Sequence, residues 1–351
     1  MSDNRKPDYS PLLAGPLASV VVAALTAATL VTVAAQSSPS RSRPTISNEA
    51  EFRQAMKDLS NWGRWGQDDE LGAANLITPA KRREAARLVR EGVAVSLSHD
   101  VNQQKAPDGP SYLDRVVLSL TPSTGLDRYQ YTGSYHGAIE SHLDALGCHV
   151  MFEGKGWNGF PVERIDKDKG CPRADIKVLK DGVQTRGILF DATLLPGKAT
   201  SEGWLEPATA IHRNDLEAME KIQNVRVAPG DVILLYTGRW KRRAARGAWS
   251  TKEGFGGYHP DVAYFLKERG VSFLGADMWQ DVHPNDFKVA GNFPLHVLAV
   301  VSMGISIFDN LDLEAAAQTA RRLKRWSFLF TAAPLRVEYG MGSPVNPLAT
   351  F

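Results

Sequence analysis

Three of the eight histidines in this chain, His136, His142 and His149, lie within fourteen residues of one another. The same segment contains the carboxylates Glu140 and Asp144. Imidazole nitrogens and carboxylate oxygens are ligands that suit zinc or manganese. The sequence has only two cysteines, too few for the thiolate cluster of a typical structural zinc site. The segment therefore has the composition of a metal-ligand site.

An extended conformation would bring these side chains to one face. If Ser134–Asp144 is a strand, alternate residues share a face, and one face would carry His136, Glu140, His142 and Asp144. Positions two apart on a strand are about 6.6 Å apart, so flanking side chains can lean toward one ion about 2 Å from each donor atom. The alternative is that these residues form the hydrated face of an edge strand without a metal.

The elements that position this segment follow from hydrophobic periodicity and turn residues. Thr78 is a suitable N-cap for a helix that starts at Pro79 and runs to Glu91. Further helices are predicted over Pro260–Arg269, Leu295–Met303 and Leu311–Leu323. Short β-rich runs predict strands at Val93–Leu97, Val116–Leu120, Gly187–Phe190, Val232–Tyr236, Ser272–Gly275 and Ser306–Phe308. The pattern indicates a mixed α/β fold.

Composition excludes several classes of protein. The 41 basic and 39 acidic side chains nearly balance, and no run of Lys and Arg suits a nucleic-acid backbone. No glycine-rich phosphate loop is present, which disfavours a nicotinamide or ATP enzyme. No repeat of 20–50 residues is visible. A small-molecule substrate is the partner that remains.

The N-terminus has the layout of an export signal. Pro16–Ala35 is an apolar run preceded by Arg5 and Lys6. We therefore expect residues 1–35 to be a signal peptide, 36–48 a flexible linker and 49–351 the folded domain, in a periplasmic or secreted protein. The alternative is an uncleaved membrane anchor over residues 16–35, since about twenty apolar residues can span a bilayer.

The two cysteines, Cys148 and Cys171, could pair in an oxidising compartment. Because Cys148 lies inside the histidine segment, packing or a place in the site lining is the favoured interpretation. The remaining histidines, His99, His212, His259 and His283, are expected to be structural. Among them, His212 and His283 lie in polar loops that could face substrate, but no motif surrounds them.

The segment His142-Leu-Asp144-Ala resembles the signature of the cyclase family that includes kynurenine formamidase and isatin hydrolase. The similarity covers nearly the whole folded part. It includes Asn61-Trp-Gly-Arg-Trp-Gly, Asp69-Glu-Leu-Gly, Asn75-Leu-Ile-Thr-Pro, Arg186-Gly-Ile-Leu-Phe-Asp191, Pro229-Gly-Asp-Val-Ile-Leu, His259-Pro260, Ala333-Pro-Leu-Arg-Val-Glu and Gly342-Ser-Pro-Val-Asn-Pro.

The resemblance implies a set of metal ligands. It points to His142, Asp144, His296 and Asp309, with either His136 or Glu140 as a further ligand. The chain departs from the family pattern at three places. Ala138 stands four residues before His142, where the family has histidine. Asp309 follows His296 where the family has glutamate. Cys148 stands four residues after Asp144, again in place of a histidine, so a bulge or turn at Gly147 is needed to bring His149 into position as the proton carrier.

The resemblance also implies fold and activity. We expect a single compact α/β domain with a β-barrel-like sheet layer and flanking helices, assembled as a homodimer or homotetramer. One or two zinc or manganese ions would activate water to open a small amide, formamide or cyclic amide. The alternatives are a lactone or polyketide-type cyclase or dehydratase on the same site, and a secreted binding protein that has lost catalysis. Aromatic side chains suited to the substrate pocket are Trp62, Trp65, Trp157 and Phe152, although core packing explains them equally well.

Overall fold

A computed structural model describes residues 44–351. The predicted signal segment 1–35 and most of the predicted linker 36–48 therefore lie outside the described residues. Between residues 44 and 351, no helix combines the length and the apolar character that crossing a bilayer requires.

The described chain alternates between helices and short strands. The helices are α1 (Glu49–Asp58), α2 (Pro79–Ala86), α3 (Arg213–Ile222), α4 (Arg239–Arg246), α5 (Val262–Arg269), α6 (Pro294–His296, continued by the π-helix Val297–Met303) and α7 (Glu314–Leu323). The strands are β1 (Ala94–Ser96), β2 (Leu113–Leu120), β3 (Gly125–Tyr131), β4 (His142–Asp144), β5 (Val183–Asp191), β6 (Ala210–Ile211), β7 (Val232–Tyr236), β8 (Gly257–Tyr258), β9 (Phe273–Ala276), β10 (Ser306–Asp309), β11 (Ser327–Ala332), β12 (Gly342–Pro344) and β13 (Leu348–Thr350).

Nine of these strands form one sheet in the order β1-β13-β11-β5-β7-β9-β10-β4-β12. The central strands β5, β7, β9 and β10 are parallel, and the strands on either side of them pair antiparallel. The sheet curls strongly into a half-barrel. This arrangement confirms the predicted α/β fold with a barrel-like sheet layer.

Strands β7 and β9 are buried along their whole length, which explains their apolar sequences. In β7, Ile233 and Leu235 face a core shared with α1, α3 and α5, whereas Val232 and Leu234 face a second core shared with α7. Val232–Tyr236 is wholly buried, and its bounds match the predicted strand. Helices therefore cover both faces of the sheet and fix the ends of its central strands.

The start of α2 confirms the predicted cap, since Thr78 Oγ1 accepts a hydrogen bond from the Lys81 N–H at 3.1 Å. This helix ends at Ala86, not at Glu91. The predicted strand over residues 134–144 is wrong, because only His142–Asp144 is extended within a sheet. Carbonyls before this short strand accept hydrogen bonds from side chains, among them Gly137 O from Trp279 Nε1.

Candidate metal centre

Strand β4, the second strand from one edge of the sheet, carries His142 and Asp144. It lies between β10 and β12, and its register places His142 opposite Asp309. Asp144 lies two residues after His142 and therefore shares a face with it. Helix α6 brings His296 to the same place. Residues far apart in sequence are thus gathered by strand pairing and one helix end.

Short distances join these side chains around the carboxylate of Asp144. Its Oδ1 lies 2.9 Å from His136 Nδ1 and 3.5 Å from His142 Nε2, and its Oδ2 lies 3.4 Å from His149 Nε2. The second carboxylate, Asp309, places Oδ2 3.3 Å from His296 Nε2 and 3.9 Å from His142 Nε2. Five of the six predicted metal ligands, together with His149, therefore meet in one cluster.

The donors divide into two sets of three that share one residue. The first set is His136, His142 and Asp144, and the second is Asp144, His296 and Asp309. Within each set the ligand atoms lie within 4.8 Å of one another. A shared carboxylate between two donor sets is an arrangement that can serve either one ion or two.

The surroundings of Asp144 fit a metal ion. Its carboxylate is completely buried, and the ring nitrogens of His136, His142 and His149 lie 2.9 Å, 3.5 Å and 3.4 Å from its oxygens. A buried carboxylate is costly unless a positive charge compensates it. Burial alone would raise the pKa of Asp144, but the nearby His149, His136 and His142 hold that pKa below its ordinary value. The carboxylate is therefore ionised and can bind a cation.

Two of the imidazoles are held so that Nε2 faces the cluster. His142 Nδ1 lies 2.7 Å from the Glu140 carbonyl oxygen, and His296 Nδ1 lies 2.6 Å from Asp281 Oδ2. A partner on one ring nitrogen fixes the tautomer that leaves the other free to bind a metal. Gln280 Nε2 similarly donates to Asp309 Oδ1 at 2.7 Å, so that Oδ2 of Asp309 faces the cluster.

Asp281 was not found from the sequence, yet it has two functions here. Its Oδ1 accepts a hydrogen bond from the Leu295 N–H at 2.6 Å, which anchors the start of α6, while Oδ2 orients His296. Burial would lower the pKa of His296, but Asp309 and Asp281 raise it well above its ordinary value. A metal that binds Nε2 of His296 must displace a proton from that nitrogen, so metal binding is coupled to proton release.

We expect Asp281→Asn to weaken metal binding about 10–100-fold, because the partners behind a ligating histidine contribute on this scale. The asparagine keeps the shape but loses the charge that makes His296 a stronger ligand. Metal titration of the stripped variant measures the effect. Unchanged affinity would show that Asp281 acts only on the start of α6.

Glu140 is the predicted ligand that the structure does not bring into the cluster. Its side chain is buried, and Oε1 accepts a hydrogen bond from the Asn102 N–H at 3.3 Å. His136 occupies the place beside Asp144 instead. Because residues 134–141 bend, the strict alternation that placed Glu140 on the metal face does not apply.

His149 reaches the cluster through the predicted turn, which covers Leu146–Cys148. The ring of His149 stacks on His136 with centroids 3.9 Å apart. Glycine tolerates the positive φ angles that bulges often use, but the turn does not depend on this property, since Gly147 has no positive φ. A Cβ at this position would lie 2.0 Å from the Arg173 carbonyl oxygen, so the glycine is needed for close approach.

The two cysteines form a disulfide, Cys148–Cys171, which corrects the interpretation that favoured unpaired packing. Both residues are buried. Cys148 therefore has no thiol for nucleophilic chemistry. The bond ties Cys148, the residue next to His149, to the segment around Cys171.

We expect the double variant Cys148→Ser, Cys171→Ser to lose about 3 kcal/mol of unfolding free energy, the usual contribution for a loop of this length. Denaturant unfolding with and without reductant measures it. The control is the double variant itself, whose unfolding midpoint should not respond to reductant. An equal midpoint for oxidised and reduced wild type would contradict the prediction.

A cavity of about 380 Å³ opens directly on the cluster. Its walls carry two aromatic side chains, Trp279 and Phe293, together with Val150 and Met151. The ring centroids of Trp279 and Phe293 lie 5.5 Å apart at an interplanar angle of 74°. Phe293 stands three residues before His296, a proximity to a predicted ligand that could have identified it. Trp279 has no comparable signal in the sequence.

The aromatic residues predicted for the substrate pocket lie elsewhere. Trp62 and Phe152 line a separate cavity of about 460 Å³. Trp157 is buried against Gly304, and Trp65 packs on Trp157 with centroids 6.4 Å apart. Trp157 belongs to the core, and Trp65 and Phe152 pack against that core, as the core-packing alternative expects, whereas Trp62 is exposed.

The chain is an α/β protein in which a curled mixed sheet carries a buried cluster of histidines and aspartates near one edge. The family model Cyclase matches residues 95–281, which is more than half of the chain. The chain belongs to the cyclase family.

Solved structures share this fold. A crystal structure described as a novel cyclase has a TM-score of 0.72 and 26% sequence identity, covering 84% of this chain and 99% of that chain. An isatin hydrolase bound to the product analogue thioisatinate has a TM-score of 0.52 and 18% identity, covering 77% of this chain and 97% of that chain. The second likeness concerns the fold alone. No curated protein matches the chain in sequence.

Proposed function

We propose that the protein is a metal-dependent hydrolase that opens a small amide, formamide or cyclic amide. The observation that carries this proposal is the completely buried Asp144 carboxylate, which is surrounded by three histidines beside a cavity. Such a carboxylate is costly without a cation. Membership in the cyclase family and the fold shared with an isatin hydrolase support the same chemistry.

Five side chains of the cluster are the proposed metal ligands. His136, His142, Asp144, His296 and Asp309 would hold one or two divalent ions, zinc or manganese. When bound, the ion would lower the pKa of a coordinated water and polarise the substrate carbonyl.

His149 is the proposed proton carrier. Its side chain is 27% exposed, lines the cavity and lies beside Asp144, so it can exchange protons with both substrate and solvent. The leaving nitrogen needs a proton when the amide bond breaks, and an imidazole within reach can donate it.

The cavity supports a substrate of small size with a flat apolar part. Trp279 and Phe293 meet edge to face and offer aromatic surface beside the polar cluster, with the Phe293 ring 5.2 Å from that of His296. A ring seated on this surface would direct a carbonyl group toward the cluster.

The decisive experiment is hydrolysis by the metal-loaded protein of matched sets of N-formyl aryl amides, cyclic amides and lactones, with chelator-treated protein as control. Turnover of an amide that chelator abolishes and metal restores supports the proposal. Turnover of lactones alone would replace it with a lactone-directed activity. Stoichiometric metal without any turnover would replace it with the binding-protein alternative.

We also propose that the protein is exported and loses residues 1–35. The buried disulfide supports export, because such bonds persist mainly in oxidising compartments. The expected result is an intact mass that corresponds to a chain beginning at Gln36. A full-length mass in a membrane fraction would favour the anchor instead.

A further inference from the structure

A second cluster of metal-ligating side chains lies outside the centre described above. It consists of His212, His259 and Asp261, whose ligand atoms lie within 4.8 Å of one another. His212 Nδ1 lies 2.8 Å and His259 Nδ1 lies 3.2 Å from the same oxygen, Asp261 Oδ2. Two imidazoles therefore converge on one carboxylate oxygen.

The fold builds this cluster from two parallel strands and the helices that follow them. Strand β6 pairs with β8 so that Ile211 lies opposite Tyr258, and the His259 N–H donates to the Ile211 carbonyl at 2.8 Å. The next residues, His212 and His259, consequently lie side by side with ring centroids 4.3 Å apart. Helices α3 and α5 begin at Arg213 and Val262, so the backbone of all three ligands is fixed at element ends.

The carboxylate is oriented for shared binding. Asp261 Oδ1 accepts a hydrogen bond from the Arg213 N–H at 3.2 Å, which leaves Oδ2 facing both imidazoles. His212 Nδ1 and His259 Nδ1 both present a ring nitrogen to this oxygen, at 2.8 Å and 3.2 Å.

We propose that His212 Nδ1, His259 Nδ1 and Asp261 Oδ2 bind a zinc ion, with water as the fourth ligand. Donors of a tetrahedral zinc at about 2.0–2.1 Å are about 3.3 Å apart, close to the two separations measured here. The side chain of His212 is 43% exposed, which leaves one side of the cluster open to solvent for the ion and its water.

Nearby charges set the expected strength of binding. The positive ends of α3 and α5 both point toward the cluster and oppose a cation. Lys198 is also near, but it pairs with Asp215 at 2.9 Å, which offsets its charge. This site holds one carboxylate, whereas the buried centre holds Asp144 and Asp309. We therefore expect it to fill after the buried centre as zinc is added.

An ion here would join the start of α3 to the start of α5 and stabilise the fold. Ligands that bind only the folded state raise the melting temperature in proportion to the logarithm of their excess over the Kd. For a chain of this size, a hundredfold excess should raise it by about 5 °C.

The test compares the zinc content of the full-length protein with that of His259→Gln. Glutamine can still hydrogen-bond to Asp261 but is a poor zinc ligand. Metal-stripped proteins are given zinc alone, desalted and analysed by mass spectrometry for bound metal. Wild type should bind one equivalent more than His259→Gln and than His212→Gln. The control His99→Gln removes a histidine outside both clusters and should bind as wild type does.

A second measurement keeps the result independent of the first centre. In an Asp144→Asn background, which removes the residue shared by both donor sets of the buried centre, zinc should still raise the melting temperature, and adding His259→Gln should abolish that rise. The proposal is overturned if both glutamine variants bind as much zinc as wild type and melt at the same temperature with zinc. Loss of hydrolysis does not bear on it, so it can fail or stand separately from the proposed function.

Discussion

Asp144→Asn should remove bound metal from the buried centre and lower turnover about 10³-fold or more. Asparagine has nearly the same shape, so the change isolates the charge that both donor sets share. Losing this charge removes several kcal/mol of the stabilisation that an ion provides during hydrolysis, and each 1.4 kcal/mol is about tenfold in rate. Metal content by mass spectrometry and turnover of the best amide substrate measure the two effects.

The matched control is Glu140→Gln. Glu140 lies in the same segment and is also buried, but its carboxylate contacts Asn102 and not the cluster. This variant should keep its metal and most of its activity. If Glu140→Gln loses metal while Asp144→Asn retains it, the ligand set read from the structure is wrong.

The sequence predicted the parts of the site that lie on regular elements. His142 and Asp144 are two apart on a real strand, so alternation placed them correctly. The residues before that strand were misplaced because Arg239 and Asn310 bind their carbonyls and bend the chain. Those two residues are about a hundred or more positions away, and no local pattern signals their contact.

The pocket walls show the same limit. Trp279 and Phe293 were not predicted, whereas tryptophans nearer the N-terminus were. All are apolar aromatics in loops or at helix ends, and composition alone does not say which will border the cluster. The disulfide was wrongly disfavoured, since pairing depends on the distance between Cys148 and Cys171, whose Cα atoms lie 5.6 Å apart in the fold.

His149→Ala should lower turnover about 10²–10⁴-fold while the metal content stays at the wild-type value, because this is the usual contribution of a positioned proton donor. His149 belongs to neither donor set, yet it borders both the cavity and Asp144. Its removal should also eliminate one limb of the pH–rate profile, an effect that a purely structural role would not produce.

The control for His149→Ala is the double serine variant of the disulfide, which loosens the same segment without removing the imidazole. That variant should keep both limbs of the pH–rate profile even where its stability falls. If His149→Ala instead loses metal together with activity, the imidazole is a ligand. If His149→Ala keeps both its metal and its activity, the proton that reaches the leaving nitrogen comes from another group beside the cavity. His283 is the next candidate, because its ring lies 4.8 Å from that of Phe293 and its buried Nε2 has no hydrogen-bond partner among the described residues.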